Sequence, residues 1–146
     1  MLVNLRMALC ASALLFVGCS LTTDSGHFAT RQPSVIDRGG ADSVHITMPA
    51  TVIVGTSFNI VVTTYGGDCV LQGDTQVAVN GRIAEIRPFD VFQANAESAE
   101  CTRNIVLFAH GAPVTFLEQG SATIRIFGRK DPGKVDIAVE RTIQVN

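Results

Sequence analysis

The chain has 146 residues and carries 11 Lys and Arg against 13 Asp and Glu, a net charge of −2. This mild balance, without a basic run or stripe, argues against a nucleic-acid partner and gives no case for a strongly charged ligand. The sequence contains no glycine-rich phosphate loop and no Gly-x-Ser-x-Gly element that would present a catalytic serine. It therefore indicates neither a cofactor nor an enzyme.

Residues 1–18 have the form of an export signal. One positive charge, Arg6, precedes eleven apolar or small residues from Met7 to Val17. That run is too short to cross a hydrocarbon core, which needs about 20 residues, but it suits the apolar region of a secretory signal. A buried helix of the folded domain is the alternative, and the absence of an amphipathic stripe disfavours it.

Two cleavage sites are compatible with this segment. The small residues at 11–13 fit an ordinary signal peptidase, but cutting there would leave an apolar terminus at Leu14. Phe16-Val17-Gly18-Cys19 resembles the lipobox of bacterial lipoproteins. The resemblance implies cleavage before Cys19 and a diacylglycerol on its thiol. Because Ser20 rather than Asp follows, it also implies the outer membrane, with the protein facing the periplasm or the cell surface. Two or three acyl chains would anchor it firmly, whereas one binds only marginally.

Residues 19–42 are predicted to be the lipidated N-terminus and a flexible tether. Ser, Thr, Gly and Asp dominate residues 20–42, and no hydrophobic period is evident. A loop packed on the domain is the alternative.

From residue 43 the pattern changes to the two-residue period of β-strands. Strands are predicted at 43–48, 51–54 and 58–63. Residues 75–87 predict a hairpin in which Asn80 and Gly81 form a type I′ turn, because both tolerate positive φ. Val79 would then face Arg82, Val77 would face Ala84, and Pro88 would end the second strand. Residues 89–100 are predicted to be irregular.

Three more strands are predicted towards the C-terminus. Residues 104–109 are nearly all apolar and are expected to form a central strand. Residues 114–117 and 122–127 are expected to flank a hairpin loop. A turn at 131–133 precedes an alternating strand at 135–145, whose apolar face is interrupted by Arg141.

Seven to eight short strands in residues 43–146 predict one all-β domain, an antiparallel β-sandwich. The segments VGTSFNIVV at 54–62 and GSATIRIFG at 120–128 are similar to strands of bacterial immunoglobulin-like domains. That resemblance implies an immunoglobulin-like architecture. A small closed barrel is the alternative.

The four cysteines divide between the leader and the domain. Cys10 would leave with the signal and Cys19 would carry the lipid. Cys69 and Cys101 are the pair left in an exported domain, which predicts a disulfide. A metal site built on these residues is disfavoured, because the histidines are scattered and no Cys-x-x-Cys is present.

Acidic residues flank this predicted disulfide. Asp68 and Glu100 each precede one of its cysteines, and Glu97 and Asp74 lie nearby in sequence. Carboxylate oxygens suit Ca²⁺, which takes 6–8 oxygen ligands, so a cation site is one interpretation. The favoured alternative is an exposed acidic loop, because neighbouring side chains on a strand point to opposite faces.

His110 lies at the end of a predicted strand, where a hydrogen-bonding role is favoured over that of a general base. We therefore expect a non-enzymatic, lipid-anchored protein of the cell envelope that presents a β-sandwich for binding or structural interaction. Its partners would be the membrane, through Cys19, and another envelope protein. A Ca²⁺-binding envelope module and a small envelope enzyme or inhibitor are the alternatives.

Overall fold

The structure, a computed structural model, describes residues 27–95, 101 and 104–146. No helix in this part of the chain has the length and apolar character needed to cross a membrane. The predicted leader and Cys19 lie outside the described residues. The described residues form ten strands: β1 (His27–Pro33), β2 (Val35–Asp37), β3 (Ile46–Thr47), β4 (Thr51–Val52), β5 (Phe58–Gly66), β6 (Val70–Asn80), β7 (Ile83–Asn95), β8 (Val106–Val114), β9 (Gly120–Lys130) and β10 (Val135–Val145).

The strands form one continuous sheet that folds into two layers. One layer has the order β4-β10-β9-β7-β6 and the other has the order β3-β5-β8, while β2 joins them by pairing with both β9 and β5. The predicted all-β, sandwich-like fold is confirmed. The prediction that the sheet is antiparallel is wrong for three pairs, because β10 with β4, β9 with β2 and β9 with β7 are parallel.

The core between the layers is aliphatic and follows the two-residue period of the strands. On β9 every second side chain points inward, so that Ile124 and Ile126 are fully buried. They belong to one cluster with Ile60 of β5 and Ile86 of β7. Burying each such side chain contributes about 1.5–3 kcal/mol, so this alternation is the main determinant of the fold.

The predicted boundary between tether and domain, at residues 42 and 43, is wrong. β1 and β2 belong to the sheet, and Ile36 is fully buried in the core. At Ser34 the chain passes from the side of β7 to the side of β9. The Ser34 N–H donates to the Pro88 carbonyl at 3.1 Å, and the Arg129 N–H donates to the Ser34 carbonyl at 2.8 Å. Because the chain changes neighbours here, the segment has no sustained hydrophobic period. Residues 19–26 of the predicted tether lie outside the described residues.

β6 and β7 form the predicted hairpin, but with a different turn. Asn80 lies opposite Ile83, so Gly81 and Arg82 form the loop. Only Gly81 has a positive φ, +56°, which is the pattern of a type II′ turn with glycine at its first central position. The predicted partners therefore shift: Val79 lies opposite Ala84 and Val77 lies opposite Ile86.

β7 continues through Pro88 to Asn95, so the predictions that Pro88 ends the strand and that residues 89–95 are irregular are wrong. The proline is tolerated because β7 changes neighbours there, from β9 along 83–86 to β1 along 89–95. β6 has a bulge opposite this point, where an added Cβ on Gly73 would lie 2.5 Å from the Phe89 carbonyl oxygen. Residues 96–100 lie outside the described residues.

β8 is an edge strand rather than the predicted central strand. Among the described strands it pairs only with β5, and Leu107 is 61% exposed. β8 and β9 do not form the predicted hairpin, because the chain crosses between the layers after Val114 and β9 pairs with β10. The predicted turn at 131–133 and the strand at 135–145 are confirmed.

Candidate functional site

A cluster of four polar side chains, three buried and one partly buried, lies where the two layers face each other. We call Thr64, Thr75, Asp90 and His110 the polar cluster; they lie on β5, β6, β7 and β8 respectively. Asp90 accepts two hydrogen bonds, from the Thr64 hydroxyl at 3.3 Å and from His110 Nε2 at 3.0 Å. The cluster therefore links strands of both layers through one carboxylate.

Both ring nitrogens of His110 have a partner. Because a carboxylate only accepts hydrogen bonds, Nε2–H donates to Asp90. Nδ1 lies 3.1 Å from the Thr75 hydroxyl oxygen, and in the neutral imidazole this nitrogen accepts a hydrogen bond from the hydroxyl group. The hydrogen-bonding role expected for His110 is thus what the structure shows. The expected position is wrong, since His110 lies in the middle of β8 and not at its end.

The order Thr75–His110–Asp90 has the connectivity of a catalytic triad, but not its access. In a triad the histidine takes the proton of the nucleophile and then gives it to the leaving group of the substrate, which must therefore reach the imidazole. The His110 side chain is 0% exposed and that of Asp90 is 3% exposed. A substrate could not reach the imidazole without separation of the layers. The geometry therefore suits a structural network.

The predicted disulfide between Cys69 and Cys101 is confirmed, with Cα atoms 5.4 Å apart. It joins the turn between β5 and β6 to the segment that precedes β8. The Cys69 carbonyl also accepts a hydrogen bond from the Gln93 N–H at 2.9 Å. Asn104 Nδ2 donates to Asp68 at 3.3 Å beside the disulfide.

β6 and β8 approach each other at the edges of the two layers without backbone pairing in the described residues. Side chains bridge the gap instead. Gln72 Nε2 donates to the Ala109 carbonyl at 2.8 Å, and Thr75 contacts His110. The disulfide closes the same gap at one end. The layers are thus joined covalently and by hydrogen bonds along this seam.

The acidic residues proposed for a cation site are not gathered in the described part of the chain. Both carboxylate oxygens of Asp74 accept hydrogen bonds from the Arg31 guanidinium, at 2.8 and 2.9 Å. This hydrogen bond lowers the pKa of Asp74 below its usual value. Glu97 and Glu100 lie outside the described residues. Within those residues no group of three or more His, Cys, Asp or Glu is placed to hold a metal.

A shallow cavity on the outer face of the larger layer was not anticipated from the sequence. Its volume is about 230 Å³, and its lining includes Phe89, Phe127 and Asp136. The guanidinium carbons of Arg31 and Arg87 lie 3.3 and 3.8 Å from the ring centres of Phe89 and Phe127. The sequence feature that could have indicated this cavity is the spacing of Arg87 and Phe89, which lie two residues apart on one strand and therefore share a face. The volume is below the roughly 300–1,000 Å³ typical of small-molecule sites.

No protein-family model matches the chain, and the comparisons with curated proteins and solved structures found no match. The immunoglobulin-like character therefore stays a prediction. The case for function rests on the residues themselves.

Proposed function

We propose that this chain is a non-enzymatic, lipid-anchored protein of the cell envelope that presents its β-sandwich, of immunoglobulin-like kind, for binding or structural interaction. The observation that carries the proposal is the leader ending in Gly18-Cys19. Its expected location is the outer membrane, facing the periplasm or the cell surface.

The disulfide supports export. Disulfides persist in oxidising compartments and are rare in the cytosol. The domain contains two cysteines, Cys69 and Cys101, and they are joined to each other. The other two cysteines of the chain, Cys10 and Cys19, belong to the proposed leader and its cleavage site. An exported domain with its two cysteines paired leaves the Cys19 thiol to accept lipid.

The position of β1 supports anchoring from one end. His27 lies opposite Asn95, at the end of the sandwich that carries the disulfide. Seven residues separate Cys19 from His27, and even a fully extended chain of that length reaches no more than about 28 Å. The domain would therefore sit close to the membrane surface.

The polar cluster supports a non-enzymatic role. Its histidine and aspartate are the buried titratable pair of the described residues, and each uses its polar atoms on neighbouring strands. Because the hydrogen bonds of the polar cluster link four strands, the cluster is suited to stabilising the fold rather than to exchanging protons with a substrate.

Lipidation is tested by Cys19→Ala in the full-length chain, expressed in a bacterium that processes lipoproteins. We expect the wild type in the membrane fraction with a lipid-modified N-terminal cysteine by mass spectrometry. Cys19→Ala should be soluble or accumulate as uncleaved precursor, whereas the control Cys10→Ala should behave as the wild type. A mature protein beginning at an unmodified Leu14 would establish ordinary signal cleavage instead.

A further inference from the structure

The outer edge of β10 is open along most of its length. β10 pairs with β9 throughout, but on its other side only Gln144 and Val145 pair with β4. The Gln144 N–H donates to the Ala50 carbonyl at 3.2 Å on that side. Because backbone groups alternate along a strand, Asp136, Ala138 and Glu140 direct their N–H and C=O groups to the same edge. No described strand lies beside them.

Arg141 covers one end of this open edge. Its guanidinium donates to the Glu140 carbonyl at 2.9 Å, which explains the charge that interrupts the apolar face of β10. The groups of Asp136 and Ala138 stay open. On the inner face beside them Val135 is 59% exposed, and Ile137 and Val139 are only partly buried. An open edge with apolar neighbours is a template for strand addition.

We infer that residues 135–139 pair antiparallel with the same residues of a second copy, about a two-fold axis at Ile137. In this register Asp136 lies opposite Ala138 of the second copy, and both use their outward backbone groups. Val135 lies opposite Val139 of the second copy, and Ile137 lies opposite itself. The exposed surface of Val135 is thereby covered.

The charges select this register over its neighbours. An axis at Ala138 would place Asp136 opposite Glu140 of the second copy, and an axis at Glu140 would place that residue opposite itself. Like charges directly opposite each other destabilise a strand pair. The axis at Ile137 avoids both like-charge pairs, and Glu140 then lies beyond the paired segment, because Lys134 precedes the strand and has a φ of +53°. An axis at Val139 would set Arg141 against an isoleucine and remove it from the Glu140 carbonyl.

This assignment rests on the proposed function, since it names the partner of the proposed interaction module. Anchoring would confine both copies to one surface and raise their effective concentration. The two-fold axis is perpendicular to the sheet, so both copies turn the same face to the membrane. Their N-terminal ends then point in opposite directions along the surface, and each stays within reach of its own anchor.

Cysteine substitutions in the full-length chain test the pairing. Ile137 would form a non-hydrogen-bonded pair on the axis, with Cα atoms about 4.5 Å apart, within the range of a disulfide. We expect Ile137→Cys to give a covalent dimer on a non-reducing gel of whole cells. Val139→Cys is the matched control on the same strand and face, because the two copies of residue 139 would be about 14 Å apart. Absence of the dimer, equal dimer at both positions, or linkage to another protein would overturn the inference.

A second variant tests the backbone contribution. Ala138→Pro removes an N–H that the monomer does not use, so the Ile137→Cys dimer should fall at least tenfold, whereas Ala138→Val should retain it. An unchanged dimer in a folded Ala138→Pro protein would contradict strand pairing. Fractionation separates this inference from the proposed function. If the dimer forms but the chain is found in the soluble fraction, only the proposed membrane anchor is contradicted. If the chain is bound to the membrane but forms no dimer, only the proposed strand pairing is contradicted.

Discussion

Replacing Asp90 with alanine would remove the common acceptor of the polar cluster. The His110 Nε2–H and the Thr64 hydroxyl would both stay buried without a partner. Each unsatisfied buried group costs about 1–3 kcal/mol, and this substitution leaves two such groups. We therefore expect Asp90→Ala to lower the free energy of unfolding by about 4 kcal/mol, a large part of the roughly 5–15 kcal/mol typical of a domain.

Denaturant unfolding followed by circular dichroism measures this loss, and thermal unfolding should show a fall in Tm of about 10–20 °C. Asp90→Asn separates hydrogen bonding from charge. Its amide oxygen still accepts from His110 and its NH₂ group faces the Thr64 oxygen, so most of the stability should return. Asp74→Ala is the exposed control and should change little. An Asp90→Ala protein within 1 kcal/mol of wild type would refute the argument that the cluster joins the layers.

Three further predictions follow from local geometry. Gly73→Ala should lower stability by about 2–3 kcal/mol, because its Cβ would meet a backbone oxygen at 2.5 Å, whereas Gly111→Ala, with a flexible side chain 3.4 Å away, should be nearly neutral in the same denaturant assay. Tyr65 is the single tyrosine, and burial raises the pKa of its hydroxyl. Its ultraviolet titration should therefore show one transition above the usual range, and stability should fall as pH rises through that raised pKa. Normal titration would contradict its burial. Replacing Cys69 and Cys101 together with alanine removes the cross-link between residues 32 positions apart. This should lower the free energy of unfolding by about 3–4 kcal/mol. Equal denaturation midpoints for this variant and the wild type would show that the disulfide does not stabilise the domain.

The parts of the fold that follow from the sequence are those in which one strand keeps one pair of neighbours. β10 alternates cleanly and lies against β9 throughout, so its limits were predictable. β7 was not, because Pro88 marks a change of neighbours and looks like a strand end. β1 and β2 were missed because Ile36 is the one fully buried apolar residue of the crossing.

Part of the polar cluster could be predicted from the sequence. Extending the inward positions of β7 from Ala84 and Ile86 by the same period places Asp90 on the core face. Its partner could not be identified, since β7 and β8 are not paired and their relative level depends on how the two layers pack. A local pattern records which face a residue occupies, and it carries no information about which side chain lies opposite across the core.

The placement of β2 and β4 bears on the order in which the sheet is completed. Val35 lies opposite Arg129, and Thr51 lies opposite Gln144, so strands from the beginning of the domain are paired with its last two strands. Contacts between distant parts of a chain form slowly, because the intervening loop must close first. The sheet cannot be completed until the C-terminal residues are available. If the chain is exported as we propose, it would stay incompletely folded until these C-terminal strands have crossed the membrane, while its leading residues are accessible to processing enzymes.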